Sequence, residues 1–276
     1  MPHLKHLLFL NKGLGHFRLD ASNADEPTIY LYDMIVSEDW WGGVTPLAFA
    51  TQLASLTAPV IHLRINSPGG DVFAARAMVQ AMQEHPSKII AHIDGVCASA
   101  ATYPALAADE CIIADGAMFM IHNAWTVAGG ESKDFIAMGN LLGRIDAILA
   151  NDYAKKSGQT IEQITEWMNA ETYWFGQEAV DAGFCTGLAE GAISNKIKWD
   201  LSAYKQAPKN IGPSLDSDND GNAETSEDPD MDGDDDEDEE GDTDNDKDKN
   251  LIPDDATIYD YSHLYRRLEL VEKTAA

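Results

Sequence analysis

Hydrophobic and polar positions alternate between two periods along the first two thirds of the chain. Residues 28–36 (TIYLYDMIV) are β-branched and aromatic, which predicts a strand. Thr45-Pro46 then signals a helix start, with proline in the first turn, and Leu47, Phe49, Ala50, Leu53 and Leu56 follow at near-helical spacing. Residues 60–66 (VIHLRIN) predict a second strand, and 71–85 a second helix with Phe73, Met78 and Met82 on its buried side. A third strand is expected at 88–94 (KIIAHID) and a third helix at 99–107, with short strands at 111–113 and 118–122. Strand-helix alternation with short connections implies right-handed βαβ units and a largely parallel sheet. Ligands of such sheets bind at the carboxyl ends of the strands.

Further on, 133–156 is long enough for six helical turns and carries Phe135, Leu141, Leu142, Ile145 and Leu149. Shorter helices are expected at 160–168, capped by Thr160, and at 177–182. Residues 1–27 read as an irregular arm with at most one short strand, and 28–205 as the globular domain. Residues 206–255 open with Pro208, Gly212 and Pro213 and become an acidic low-complexity run. Such a run buries too little apolar surface to offset its ordering entropy, so it is expected to be a disordered linker. Residues 256–276 close the chain with a short amphipathic helix pattern, YDYSHLYRRLELV.

The formal net charge of −28 is concentrated in that run. Of 47 acidic residues, 21 lie between 214 and 255, against two of the 19 basic ones. The domain is therefore only mildly acidic and has no basic patch, which argues against a nucleic-acid partner. Asp216, Asp218, Asp220, Gly221 and Glu227 satisfy an EF-hand loop pattern. Asp-rich sequence generates such matches by itself, Ala223 fills the eighth position, and no flanking helix pattern frames the loop. Cys97, Cys111 and Cys185 are an odd, sparse set, which fits free thiols in a reducing compartment. No apolar run approaches the length of a membrane span, and Leu7–Leu10 is too short for a signal-peptide core, so a cytosolic protein with no membrane partner is expected.

Candidate chemistry converges on Ser99, in the turn Gly95-Val96-Cys97-Ala98-Ser99-Ala100-Ala101. Serine is a weak nucleophile until a base lies within hydrogen-bond reach and N–H donors face the oxyanion. His122, in Met120-Ile121-His122-Asn123, is the candidate base. Gly69-Gly70, in Ser67-Pro68-Gly69-Gly70, lets backbone N–H groups approach a carbonyl with no Cβ in the way. Taken singly, each feature has a plainer reading: a helix N-cap, a structural histidine and a turn. Ser67 is a second hydroxyl, but Pro68 assigns it to the turn, and Cys97 reads as a small buried thiol.

Taken together, these segments resemble the Clp protease proteolytic subunit family (ClpP). Asn66-Ser67-Pro68-Gly69-Gly70 resembles its glycine-rich loop, Gly95-x-x-Ala98-Ser99 its nucleophile motif and Met120-Ile121-His122 its histidine motif. Gly129-Gly130, Gly158-Gln159-x-Ile161-Glu162-Gln163-Ile164 and Glu178-Ala179-Val180-x-Ala182-Gly183 continue the likeness over roughly residues 28–190. The resemblance implies a crotonase-like α/β spiral of stacked βαβ units and a serine peptidase without metal or other cofactor. Ser99 would be the nucleophile, His122 the general base, and the N–H groups of Gly70 and Ala100 the oxyanion hole. Gly69, Gly129 and Gly130 would line the bound peptide. The family's third triad member is usually Asp, whereas counting back from Glu178-Ala179 lands on Glu171, whose extra methylene changes the reach. The nearby Asp181 reads as a surface helix residue.

Within the family, Tyr30-Leu31-Tyr32-Asp33, Asp39-Trp40-Trp41-Gly42-Gly43-Val44-Thr45, Glu171-Thr172 and the long extension are similar to phage members, the head maturation proteases. That likeness implies cleavage of scaffold and capsid precursors, in the host cytoplasm or the prohead. The likeness to ClpP also implies a homo-oligomeric ring assembled through the helix at 133–156. A degradative peptidase working with an unfoldase, and a catalytically inactive assembly scaffold, are the alternatives. A coenzyme A hydratase is a weaker one, since fold alone does not set function.

Overall fold

The computed structural model describes residues 11–38, 42–189 and 199–208, all within the first of the two units into which the chain divides, Met1–Ser217. Leu7–Leu10, Asp39-Trp40-Trp41, most of the acidic run with its EF-hand-like pattern, and the C-terminal helix pattern lie outside the described residues.

The alternating pattern folds into a mixed, mostly parallel sheet. Its main path runs β1 (His16–Asp20), β2 (Thr28–Tyr32), β3 (Val60–Ser67), β4 (Lys88–Ala98), β5 (Glu110–Ile113) and β8 (Gly187–Leu188). β1 pairs antiparallel with β2, so the segment read as an arm contributes an edge strand. The pairs from β2 to β8 along this path are parallel.

β4 is the longest strand among the described residues and serves two neighbours in succession. Its first half pairs with β5, and its last residues, Val96–Ala98, pair with β6 (Met118–Ile121). β6 in turn pairs antiparallel with β7 (Thr172–Phe175). β4 is predicted from the sequence to span only 88–94 and is observed to continue to Ala98. It continues because Asn66 Oδ1 accepts the Val96 N–H at 2.9 Å, where the β3–β4 register shifts.

Helices cross over between the strands: α1 (Pro46–Ala54), α2 (Val72–Glu84) and α3 (Thr102–Ala107). Thr45 and Asp71 cap the first two, each side chain accepting an N–H of the first turn. Ala74, Ala75, Met78 and Met82 are the buried side of α2. Phe73, expected among them, is 65% exposed, because the helix starts at Val72 and position 73 falls on the outer face.

The long α4 (Ser132–Ser157) buries only Leu149, Ala150 and Tyr153, all in its last third. It leaves Phe135, Ile136, Leu141 and Ile148 exposed. Gly158, in the left-handed region, ends it. α5 (Ile161–Ala170) and α6 (Gln177–Asp181) follow. None of these helices is long and apolar enough to cross a membrane.

Two apolar clusters form among the described residues. The larger lies between the sheet and its helices. The smaller gathers Met34, Val36, Val96, Ala98, Met118 and Met120 beneath Trp199, Leu201 and Tyr204, so the globular part extends to the last described segment.

Candidate active site

Three neighbouring parallel strands end together. Ser67 of β3 is in register with Cys97 of β4, and Ala98 of β4 with Met120 of β6. The residues that follow each strand therefore emerge side by side: Pro68-Gly69-Gly70, Ser99 and His122. Ser99 has φ 55°, a left-handed conformation that non-glycine residues adopt at a cost. It opens a single 3-10 turn, Ser99–Ala101, that leads into α3. Thr102 clamps this turn, donating to the Ser99 carbonyl at 2.6 Å and meeting the Tyr153 hydroxyl of α4 at 2.7 Å.

The turn is pressed against the glycine loop. A Cβ on Gly69 would sit 2.5 Å from the Ala98 carbonyl oxygen and 3.0 Å from the Ala100 nitrogen. On Gly70 it would sit 1.9 Å from the Ile35 carbonyl oxygen. The two glycines are thus required by close approach of backbone to backbone. Ser67 is buried, and its Oγ accepts the Gly69 N–H at 3.2 Å, a turn role. The Cys97 thiol is fully buried with its pKa raised by desolvation, and it contacts the Ala101 carbonyl oxygen at 3.4 Å. Such a thiol is inert as a nucleophile.

His122 Nε2 lies 2.7 Å from Ser99 Oγ. Burial pushes the imidazole pKa down to about 4, and the charge of Glu171 opposes that shift only in part. The ring is therefore neutral at pH 7 and able to accept a proton.

Glu171 ends α5 with φ 51° and precedes β7, whose Thr172 is in register with Ile121 of β6. It thus arrives beside His122. Yet no hydrogen bond joins its carboxylate to the ring among the described residues. Its Oε1 accepts the Tyr173 hydroxyl at 2.7 Å and the Gln206 N–H at 2.6 Å, and its Oε2 accepts the Lys205 N–H at 3.1 Å. Asp181 is exposed on α6 and bonds Gln177. Gly129 and Gly130 are exposed in the connection before α4.

The segment Trp199–Pro208 is a part of the site that local sequence patterns did not predict. The Tyr204 ring stands edge-on to His122 with centroids 5.2 Å apart, and its hydroxyl donates to the Pro68 carbonyl at 2.5 Å. The Trp199 indole N–H donates to Asn66 Oδ1 at 2.9 Å. The available signal was three large apolar residues, Trp199, Leu201 and Tyr204, just before the composition turns polar. Among the described residues no group of three or more His, Cys, Asp and Glu side chains is arranged to hold a metal ion.

A serine-histidine pair at a strained turn, flanked by a glycine loop, can perform acyl transfer. The Clp protease family model matches residues 33–191. The chain is 28% identical over 135 residues to ATP-dependent Clp protease proteolytic subunit 1 of Leifsonia xyli subsp. xyli, covering 48% of this chain and 68% of the relative. It is 31% identical over 140 residues to proteolytic subunit 2 of Corynebacterium glutamicum, covering 49% and 70%. Among solved structures, a point mutant of ClpP1 from Listeria monocytogenes superposes with a TM-score of 0.52 at 23% identity, over 59% of this chain and 91% of that one.

Proposed function

The chain belongs to the Clp protease family, and from that membership we propose that it is a serine endopeptidase acting on phage capsid or scaffold precursors. The 2.7 Å contact between Ser99 Oγ and His122 Nε2 carries the catalytic part of this reading. Ser99 Oγ attacks the carbonyl carbon of the scissile peptide bond while His122 Nε2 takes its proton. The N–H groups of Gly70 and Ala100 hold the resulting oxyanion. Ala100 is suited to this because the first N–H groups of a helical turn lack an intrahelical acceptor. His122 then gives its proton to the departing amine, the C–N bond breaks and an acyl-Ser99 ester remains. Water, deprotonated by the same imidazole, hydrolyses the ester and restores Ser99. Glu171 supports the imidazolium electrostatically.

The precursor substrate is supported by the phage-like segments Tyr30–Asp33 and Asp39–Thr45, by Glu171-Thr172 and by the acidic extension. The exposed apolar side chains Phe135, Ile136, Leu141 and Ile148 of α4 support assembly of several copies into a ring. Co-expression with a phage capsid or scaffold precursor tests the reading. The wild-type chain is expected to truncate that precursor and Ser99→Ala to leave it whole; equal truncation by both would refute it. A second reading, a degradative peptidase served by an unfoldase, is favoured by the names of the relatives, ATP-dependent Clp proteolytic subunits. Precursor cleavage in the absence of any ATPase would count against it.

A further inference from the structure

We propose that Trp199–Pro208 is an autoinhibitory strap, docked over the Ser99–His122 pair, that must lift before a peptide is cleaved; this rests on the peptidase reading above. The strap is built into the fold. Trp199, Leu201 and Tyr204 are only 7%, 4% and 6% exposed and sit on Met34, Val96, Met118 and Met120, the last two in β6, which leads to His122. Asp200 is clasped by the buried Asn11, whose side chain donates to its carbonyl at 2.9 Å and accepts its N–H at 2.7 Å. Such an arrangement fixes one position of the strap relative to the strands beneath it.

Its position opposes catalysis in two ways. The Tyr204 phenol occupies the rim where a substrate carbonyl must arrive: its hydroxyl is held by the Pro68 carbonyl beside Gly69-Gly70, and its ring stands edge-on to His122 at 5.2 Å between centroids. The strap also captures Glu171. With the N–H groups of Lys205 and Gln206 and the Tyr173 hydroxyl on it, the carboxylate is turned to the strap instead of the His122 ring. An orienting group is needed behind the base to stabilise the imidazolium that forms during attack. The desolvation that depresses the basicity of His122 works in the same direction.

The strap has no helix or strand of its own, so lifting it breaks its side-chain anchors and a few hydrogen bonds but no ladder of the sheet. Lifting it removes the phenol from the rim and leaves the Glu171 carboxylate free to turn to the ring. A peptide strand can then enter beside Gly69-Gly70.

The test uses the full chain and the second-order rate at which a fluorophosphonate labels Ser99. Tyr204→Ala removes the phenol. An independent variant, Lys205→Pro with Gln206→Pro, deletes both strap N–H donors to Glu171 at exposed positions and leaves the apolar anchors in place. Each is expected to label faster than wild type, the proline variant by at least about tenfold, the order by which losing a charge-assisted hydrogen bond to the Glu171 carboxylate shifts an opening equilibrium. Thermal melts identify any variant that has lost its fold. Rates equal to or below wild type in the folded proline variant overturn the strap. If wild type labels and Ser99→Ala does not, that result leaves the peptidase reading standing. If neither wild type nor any strap variant labels, the assignment of Ser99 falls and the inhibition with it.

Discussion

Acid titration of the His122 imidazole gives the sharpest prediction. An ordinary histidine titrates near 6.5, whereas burial holds this one at about 4. The groups facing the ring are Ser99, the Tyr204 phenol, which burial keeps protonated, and the carboxylate of Glu171. Only neutral imidazole accepts the serine proton, so labelling of Ser99 by a fluorophosphonate follows the neutral fraction. At about pH 5.5 that fraction is about 97% for a pKa of about 4 and about 9% for an unperturbed ring, a difference of about tenfold in rate. Labelling rates measured between pH 4 and pH 8 should therefore stay flat to about pH 5 and halve near pH 4. The same shift has a stability consequence. A folded pKa below the unfolded one means that the unfolded chain binds the proton more readily. The contribution is intact above pH 6.5 and lost as pH falls towards 4, up to about 3 kcal/mol. Comparing the acid limb of denaturant unfolding in wild type and His122→Gln isolates it. A labelling midpoint at 6.5 or higher would refute the argument that burial dominates the ring.

Other outcomes follow from the same geometry. Gly70→Ala forces a Cβ against the Ile35 carbonyl oxygen at 1.9 Å; it should reduce labelling by about a hundredfold or more and cost about 2 kcal/mol in chemical denaturation. Arg64 pairs with the buried Asp94 through two hydrogen bonds of 2.7 and 2.6 Å, and Tyr32 donates to the same carboxylate. Arg64→Met should cost about 3 kcal/mol by urea unfolding, and Arg64→Met with Asp94→Leu should recover most of it. Asn66→Ala leaves the Val96 N–H and the Trp199 indole without their shared acceptor; an equilibrium unfolding curve should show a loss of about 2 kcal/mol, whereas no change would mean that water replaces the side chain.

Local periodicity determined most of the elements. Val60–Ser67, Val72–Glu84 and Glu110–Ile113 lie within a residue or two of where the apolar spacing places them, because one-face burial leaves a period of its own. The likeness of short motifs singled out Ser99, His122 and the glycine loop, since each depends on a few contiguous residues at a strand end. What depends on contacts far apart in the chain was decided by the tertiary structure. β4 runs past Gly95 because Asn66, thirty residues earlier, accepts the Val96 N–H. Phe73 faces outward because helix phase is set by what packs on Ala74, Ala75, Met78 and Met82. Glu171 reaches the neighbourhood of His122 through the β6–β7 register, but its hydrogen bonds go to Tyr173 and to the backbone of Lys205 and Gln206. No local pattern at Glu171 encodes that choice. It follows from apolar anchors at Trp199, Leu201 and Tyr204, whose burial against Met34, Val96, Met118 and Met120 exists only once the sheet has formed.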